Sequence, residues 1–462
     1  MGLNRQRYQK NQSLLVVFVG FRVFIYFSLH KEFFMVELLY KSNLGEGLMN
    51  IAVAQSGGPT CAINASLLGV FRHATKYPEI NTVYGSVNGI EGVILNNFVN
   101  LCDIIADDDD VELIRQTPST VLGSCRYKLP DYKVNPSVYE KIVENFKSKD
   151  ISAFFYIGGN DSMDTVMKLD NYFKANNIDI RVIGIPKTID NDLPVTDHTP
   201  GFGSAAKYVA TSMQEIIRDS SVYSIESVTI VEIMGRDTGW LTASSAILRA
   251  NGEIAPHLIY LPEKPFSVKK FLDDVREAQK EHYAVIVAVS EGISLAPEEI
   301  GEEFQSGKND NFGHKYLAGV AKALEKVVAK ELDCKVRAIE LNVMQRCSSH
   351  LSSKRDITEA ERIGGAAIKV ALDGFSGRMM CFSRIANHPY NVRIDHVDVC
   401  EVANKVKYFP KEWICENGHD VTDDAIEYCL PLIQGEQNIR IKNGIPQHYI
   451  LHTALPKGCI RE

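Results

Sequence analysis

The chain has 462 residues, 45% apolar and 23% charged, which is ordinary globular composition. At this length a single core stops growing, so two or more lobes are expected. A formal net charge of −8 excludes a surface built for nucleic acid or anionic lipid, both of which need a basic excess. An acidic protein with anionic ligands would instead gather its cations locally. The ten cysteines show no CxxC spacing, which argues against a metal cage, and a chain of this size needs no disulfide staples. They read as reduced thiols of a cytoplasmic protein.

The first 48 residues differ from the rest. Leu14–Leu29 is an apolar run broken by Arg22 and preceded by the basic stretch Asn4–Lys10. The run is too short and interrupted to span a bilayer, and no small-residue cleavage site follows it. Met49 stands directly before a strong strand, Asn50–Gln55, and Gly45-Glu46-Gly47 would be encoded by a purine-rich, ribosome-binding type of stretch. Residues 1–48 are therefore expected to be an extension that is untranslated or disordered, with translation starting at Met49.

From residue 50 one pattern recurs: a short apolar run, then an abrupt loop of Gly, Pro and polar residues. Ile51–Ala54 runs into Gln55-Ser56-Gly57-Gly58-Pro59-Thr60, and Phe154–Ile157 into Gly158-Gly159-Asn160-Asp161-Ser162. Val182–Ile185 runs into Pro186-Lys187-Thr188-Ile189-Asp190-Asn191-Asp192. Val228–Ile233 runs into Met234-Gly235-Arg236, and Val285–Val289 into Ser290-Glu291-Gly292. Apolar runs without polar alternation mark an α/β fold of largely parallel sheets covered by helices on both faces. In such sheets ligands bind beyond the carboxyl ends of the strands, so these five loops belong on binding edges. The acidic run Asp107–Asp110 reads as a solvated helix start.

The loop chemistry points to phosphate. Glycines let backbone N–H groups approach an anion, and a following helix adds its positive end. Two carboxylates two residues apart, Asp190 and Asp192, suit one general base and one group that orients it. Lys187 beside them supplies a fixed cation where charge develops on a transferring phosphoryl group. Arg126, Lys187, Arg236, Arg337 and Arg346 all fall in motif segments, which is the local gathering of cations expected above. Arginine's planar fork suits bidentate phosphate contacts.

With these motifs the chain resembles the group-A phosphofructokinases over about residues 49–435; ATP-using members carry PGTIDND, GGDGS, MGR and a later QR loop. The resemblance implies that Asp190 is the base for the 1-hydroxyl of fructose 6-phosphate, with Thr188, Ile189 and Asp192 as its neighbours in the site. Met234, Gly235 and Arg236 resemble the second sugar-binding loop, and Glu291 the carboxylate that holds sugar hydroxyls. Arg337 and Arg346 resemble the cations for the 6-phosphate, the former from a neighbouring subunit, with Val343, Met344 and Gln345 in the same loop. Gly57 and Arg126 resemble donor-phosphate contacts. Arg249 finds no role and reads as structural.

Two departures from the ATP pattern resemble the pyrophosphate-dependent branch. Asp161 and Lys187 stand where ATP enzymes have Gly in GGDGS and in PGTIDND. A carboxylate at 161 would face an ATP α-phosphate; like charges about 4 Å apart at an effective dielectric near 20 cost roughly 4 kcal/mol. Asn160 replaces an Asp used near magnesium, so the Mg²⁺ implied by the resemblance would lean on Asn160 and Asp161 or on pyrophosphate itself. Ser227 and Val343 replace an arginine and a His or Tyr of the 6-phosphate site, and His350 is the candidate substitute for the latter. Cys125 and Cys347 sit beside the cations Arg126 and Arg346, and the resemblance assigns them no role.

The implied architecture is two similar lobes. Residues 49–200 plus 346–395 would bind pyrophosphate and 201–345 fructose 6-phosphate, with 396–462 packing on the core. A homodimer or homotetramer is expected if Arg337 completes a neighbour's site. The implied reaction is reversible phosphoryl transfer in glycolysis or gluconeogenesis. The alternatives are an ATP-dependent enzyme that tolerates Asp161, and a non-catalytic regulatory subunit, against which intact Asp190, Asp192 and Arg236 argue. NAD and lipid kinases share only the GGD-type loop.

Overall fold

The computed structural model describes residues 49–295 and 319–451, with the backbone of three strands ahead of them. The chain divides into two units, Met1–Leu48 and Met49–Glu462. In the first, β1 (Leu14–Val19), β2 (Arg22–Leu29) and β3 (Glu32–Leu39) form an antiparallel sheet in that order. The apolar run Leu14–Leu29 thus supplies two strands; Asn4–Lys10 and Gly45-Glu46-Gly47 lie outside the described residues.

The second unit contains β4 (Met49–Gln55), β5 (Ile80–Ser86), β6 (Phe98–Asn100), β7 (Ile151–Gly158) and β8 (Arg181–Pro186). These are followed by β9 (Ser227–Ile233), β10 (Leu258–Tyr260), β11 (Ala284–Ser290), β12 (Lys335–Glu340), β13 (Arg378–Asn387) and β14 (Tyr390–Asp398). They form a seven-stranded sheet, ordered β14-β13-β8-β7-β4-β5-β6, and a four-stranded sheet, ordered β10-β11-β9-β12. The smaller sheet is parallel throughout. The larger is parallel from β13 to β5, with antiparallel strands only at its two edges.

The apolar runs are continuous because each sheet has a core on both faces. On β7, Phe155 and Ile157 enter one cluster with the helices Ile63–Ala74 and Lys354–Leu372. Phe154 and Tyr156 enter the other, with the helices Pro136–Lys147 and Asn160–Ala175. In the smaller sheet Val231 and Ile233 pack under the helix Phe202–Ser220, and Val228 and Ile230 against Val268–Gln279 and Val320–Glu331. Burying each such side chain contributes about 1.5–3 kcal/mol. Near the C-terminus, Phe409, Trp413 and Tyr428 surround Trp240, with ring centroids 5.1, 6.0 and 5.1 Å away. Asp107 caps the helix Asp108–Gln116 by accepting from the Asp109 and Asp110 amides. Among the described residues no helix is long and apolar enough to cross a membrane.

The helices Ile63–Ala74 and Lys354–Leu372 cross unusually closely. A Cβ on Gly69 would lie 2.0 Å from the Glu361 carbonyl oxygen, and one on Gly364 2.2 Å from that of Ser66. Intrinsic propensity favours Ala over Gly in a helix by about 1 kcal/mol. Overlap with backbone, at roughly 1–3 kcal/mol or more, should win. Gly69→Ala is therefore expected to lower the chemical denaturation midpoint; a raised midpoint would show that the crossing can relax.

Candidate active site

The loops after β4, β7 and β8 are tied together by their own polar atoms. Ser56 Oγ and Ser162 Oγ share a 2.5 Å hydrogen bond, and the Lys187 amide donates to the Gly158 carbonyl at 2.9 Å. Gly158 admits no side chain, since a Cβ would lie 1.9 Å from Ser162 Oγ. Lys187 passes beneath the first glycine loop: its Nζ donates to the Gly58 carbonyl at 2.5 Å, and a Cβ on Gly57 would stand 3.4 Å from that nitrogen. Arg346 stands on the same floor, its Nη1 3.5 Å from a Cβ built on Gly58. Gly57 turns at φ +73°; its amide donates to the Cys125 carbonyl, and its own carbonyl accepts from Ser124 Oγ.

The smaller sheet brings the other wall. Glu291 turns its carboxylate back onto the amides of Gly235 and Arg236, at 3.2 and 3.1 Å. Gln345 Oε1 accepts from the Met234 amide at 3.1 Å, which fixes the same loop from below. Gly292 lets the two loops abut, because a Cβ there would lie 1.6 Å from the Arg236 carbonyl oxygen. Thr238 Oγ1 donates to the Asp190 carbonyl at 3.2 Å, and Arg236 Nε lies 3.9 Å from Asp190 Oδ2. The Pro186–Asp192 loop of the larger sheet and the Met234–Arg236 loop of the smaller one thus close on one crevice.

Burial sets the electrostatics. It pulls Lys187 down to about 7, with Asp190 opposing the shift and Arg346 adding to it. It raises Asp190 above the ordinary carboxylate range against Arg236, the Thr188 hydroxyl and Lys187. Asp192 is pushed up to about 7 by burial and then by Asp190; Glu291 rises to about 7 for the same two reasons. Arg346 is lowered by burial and by Arg126. Carboxylates and cations whose shifts oppose one another in one cleft are what proton transfer beside an anion requires.

The structure brings Gly57, Lys187, Thr188, Asp190, Asp192, Arg236, Glu291 and Arg346 to this crevice, with Arg126 exposed and its charge acting on Arg346. The Ile189 side chain instead enters the core with Phe202 and Trp240. Val343 and Met344 are exposed beside buried Gln345. Arg337 lies on β12, paired in register with Thr229, and forms an ion pair with Asp219 at 3.1 Å. Leu341, at the carboxyl end of that strand, is four residues on, about 13 Å at the usual strand rise, so Arg337 does not line this copy's crevice. Arg249 pairs with Asp420 at 2.6 Å.

Asp161 lies in the first turn of the helix Asn160–Ala175. The Asn160 side chain accepts from the Asn404 amide at 2.7 Å and donates to the Lys405 carbonyl at 2.5 Å. Among the described residues no group of three or more His, Cys, Asp or Glu is placed to hold a metal ion. Magnesium carried on a polyphosphate needs only one or two carboxylates, which Asp161 fits. Sequence reasoning missed Thr238, Asn191 and Lys407; the first two lie inside or beside the motifs, whereas Lys407 has no local signal.

Two parallel-stranded sheets whose carboxyl edges share a crevice lined by buried carboxylates and cations define an α/β protein with the site of a phosphotransferase. A family model described as phosphofructokinase matches residues 50–371, and the chain belongs to that family. A pyrophosphate–fructose 6-phosphate 1-phosphotransferase of Halomonas elongata is 37% identical, covering 86% of this chain and 95% of its own. The protein of that name from Methylococcus capsulatus is also 37% identical, over 88% and 97%. The solved structure of a pyrophosphate-dependent phosphofructokinase from Marinobacter aquaeolei aligns with a TM-score of 0.76 at 36% identity, covering 87% of this chain and 95% of its own.

Glu291 offers a test of the site's electrostatic cost. Its folded pKa of about 7 lies above the unfolded glutamate value, so folding takes up a proton between the two. The carboxyl therefore costs nothing at pH below the unfolded value, and its penalty grows as pH rises to the folded value. At about 1.4 kcal/mol per pKa unit the penalty approaches roughly 3 kcal/mol above pH 7, as an upper bound. Glu291→Gln should melt like the parent at pH 4–5 and several degrees higher at pH 8. Equal melting temperatures at both pH values would show that the carboxylate is not penalised.

Proposed function

We propose that the chain is a pyrophosphate–fructose 6-phosphate 1-phosphotransferase, which moves a phosphoryl group reversibly from pyrophosphate to the 1-hydroxyl of fructose 6-phosphate. The observation that carries this reading is Lys187, 2% exposed, standing under the donor glycine loop within the field of Asp190. The names of the 37% identical relatives support it. Asp190 takes the hydroxyl proton as the oxygen attacks phosphorus, the bridging P–O bond breaks, and inorganic phosphate leaves. Lys187, Arg236 and Arg346 stabilise the charge that develops on the transferring group. Mg²⁺, held by Asp161 and the pyrophosphate oxygens, would neutralise charge on the donor.

The lobe of the larger sheet, 49–200 plus 346–395, would bind pyrophosphate and that of the smaller sheet, 201–345, the sugar, with 396–462 supporting both. Because Arg337 lies on the far part of β12, it would serve the 6-phosphate site of a second copy, with a homodimer or homotetramer as the working form. A cytoplasmic role in glycolysis or gluconeogenesis suits the near-balanced chemistry.

Initial rates with Mg²⁺ and fructose 6-phosphate, comparing pyrophosphate and ATP at matched concentration, test the donor. Pyrophosphate is expected to support turnover and ATP almost none, and the Asp161→Gly, Lys187→Gly double variant should gain ATP use. A parent enzyme that prefers ATP would overturn the donor reading, and one inactive with both would favour a regulatory subunit.

The pH profile follows from the shifted groups. Asp190 must be ionised, so kcat/KM rises with pH on the acid side. Lys187 must be protonated, and with its pKa near 7 the free enzyme loses that charge above neutrality, so kcat/KM falls there. Bound pyrophosphate favours the charged lysine, so the alkaline limb of kcat should lie above that of kcat/KM. Coincident limbs would remove Lys187 from the donor site.

A further inference from the structure

The loops that would hold the base and the donor are both fastened to one short stretch, Asn404–Lys407, which lies 245 residues from Asn160 in the chain. At one end of the stretch, the Asn160 side chain accepts from the Asn404 amide and donates to the Lys405 carbonyl, and Asn404 Nδ2 donates to Asp164 Oδ1 at 3.0 Å. At the other, the Lys407 amide donates to the Asp192 carbonyl at 2.7 Å. Lys407 Nζ donates to Asn191 Oδ1 at 3.2 Å, to the Thr196 carbonyl at 3.1 Å and to the Asp197 carbonyl at 2.8 Å. Three acceptors thus meet the three protons of an ammonium, which also lies 4.9 Å from the Trp240 ring centroid. Trp240 Nε1 returns a hydrogen bond to the Lys407 carbonyl at 3.0 Å.

Asn191 is the residue through which this reaches the chemistry. It sits between Asp190 and Asp192 at φ +55°, a left-handed conformation that the surroundings must enforce. Its amide is gripped at both ends: Oδ1 by Lys407, and Nδ2 by donation to Tyr428 Oη at 2.8 Å. Tyr428 is fixed in turn by donating to the Asp197 carbonyl at 2.6 Å.

We propose that Lys407 is a positioning residue of the transfer reaction. It holds the Asp190–Asp192 loop through the Asn191 side chain, in a strap, 404–407, that also fixes the donor loop through Asn160. The proposal rests on the reading of Asp190 as the base. A misplacement of about 1 Å at the reacting groups costs on the order of 10²-fold in rate. Loosening the strap should therefore lower kcat by more than it raises either KM, because transfer demands closer alignment than binding does.

The test is steady-state kinetics of the full chain with pyrophosphate and fructose 6-phosphate, alongside thermal melting. Lys407→Met is expected to lower kcat by about 10²-fold with both KM values within about threefold, and Tyr428→Phe, which removes only the hydroxyl, by about tenfold. In an Asn191→Ala background, where the grip is already gone, Tyr428→Phe should change kcat by less than about twofold. A merely structural role would instead give the same factor in both backgrounds, and that result overturns the proposal. So does a folded Lys407→Met enzyme whose kcat stays within about twofold of the parent. If Lys407→Met fails to fold, the Tyr428 pair decides. A parent enzyme without transfer activity, or with activity unaffected by Asp190→Asn, overturns the reading of Asp190 and the proposal with it. A normal Lys407→Met beside a dead Asp190→Asn overturns the proposal alone.

Discussion

Lys187 must take up its charge where water barely reaches it, and most of the surrounding structure answers that demand. A buried ammonium needs acceptors and an opposite charge, or it gives up its proton. The Gly58 carbonyl supplies the acceptor at 2.5 Å, and Asp190 supplies the charge. Gly57 turns the loop at φ +73°, a conformation L side chains rarely adopt, and so sets the loop floor above Lys187 Nζ and Arg346 Nη1. Asp190, itself buried, stays ionisable because Arg236 and Lys187 are beside it. Neither partner is stable there alone.

A crevice built this way works against folding. Asp192 and Glu291 are both pushed to about 7, and Asn191 and Arg236 are held at φ +55° and +52°. Left-handed non-glycine residues cost about 1–3 kcal/mol each, and a penalised buried carboxyl costs a comparable amount. What offsets them lies away from the crevice, in the clusters on both faces of both sheets and in the glycine-mediated crossing of Ile63–Ala74 with Lys354–Leu372. The rigid sheets place the loops, and the loops spend part of the stability that the sheets provide.

The parts legible in the sequence were those whose signal is local. Ile51–Ala54 and Phe154–Ile157 read as parallel strands because a strand with a core on each face has no polar side to show. The five loops read as binding edges because Gly, Asp and Arg there serve backbone approach and charge, both visible in a few neighbouring residues. What depends on distant pairing was not legible. Asn160 reads as a metal neighbour from its motif, and nothing in that motif announces the bonds its amide makes with Asn404 and Lys405. Ile189 stands inside the most specific motif, yet its side chain belongs to the core. Lys407 is one lysine among many until the fold sets it beside Asn191.

Donor choice then turns on where negative charge already sits. The helix Asn160–Ala175 begins directly behind Gly159, and a helix N-terminus in that position is a ready anion site. Asp161, in its first turn, places a carboxylate of the protein's own in that field. On the proposed reading, a further phosphate on the donor would find the helix end already answered and a like charge beside it. On the same reading, the two phosphates of pyrophosphate would meet Lys187, Arg346 and Arg126 instead of the helix amides. One carboxylate and one lysine, on loops that the fold sets side by side, would then decide between donors, while Asp190, Arg236 and Glu291 serve the sugar whichever donor is used.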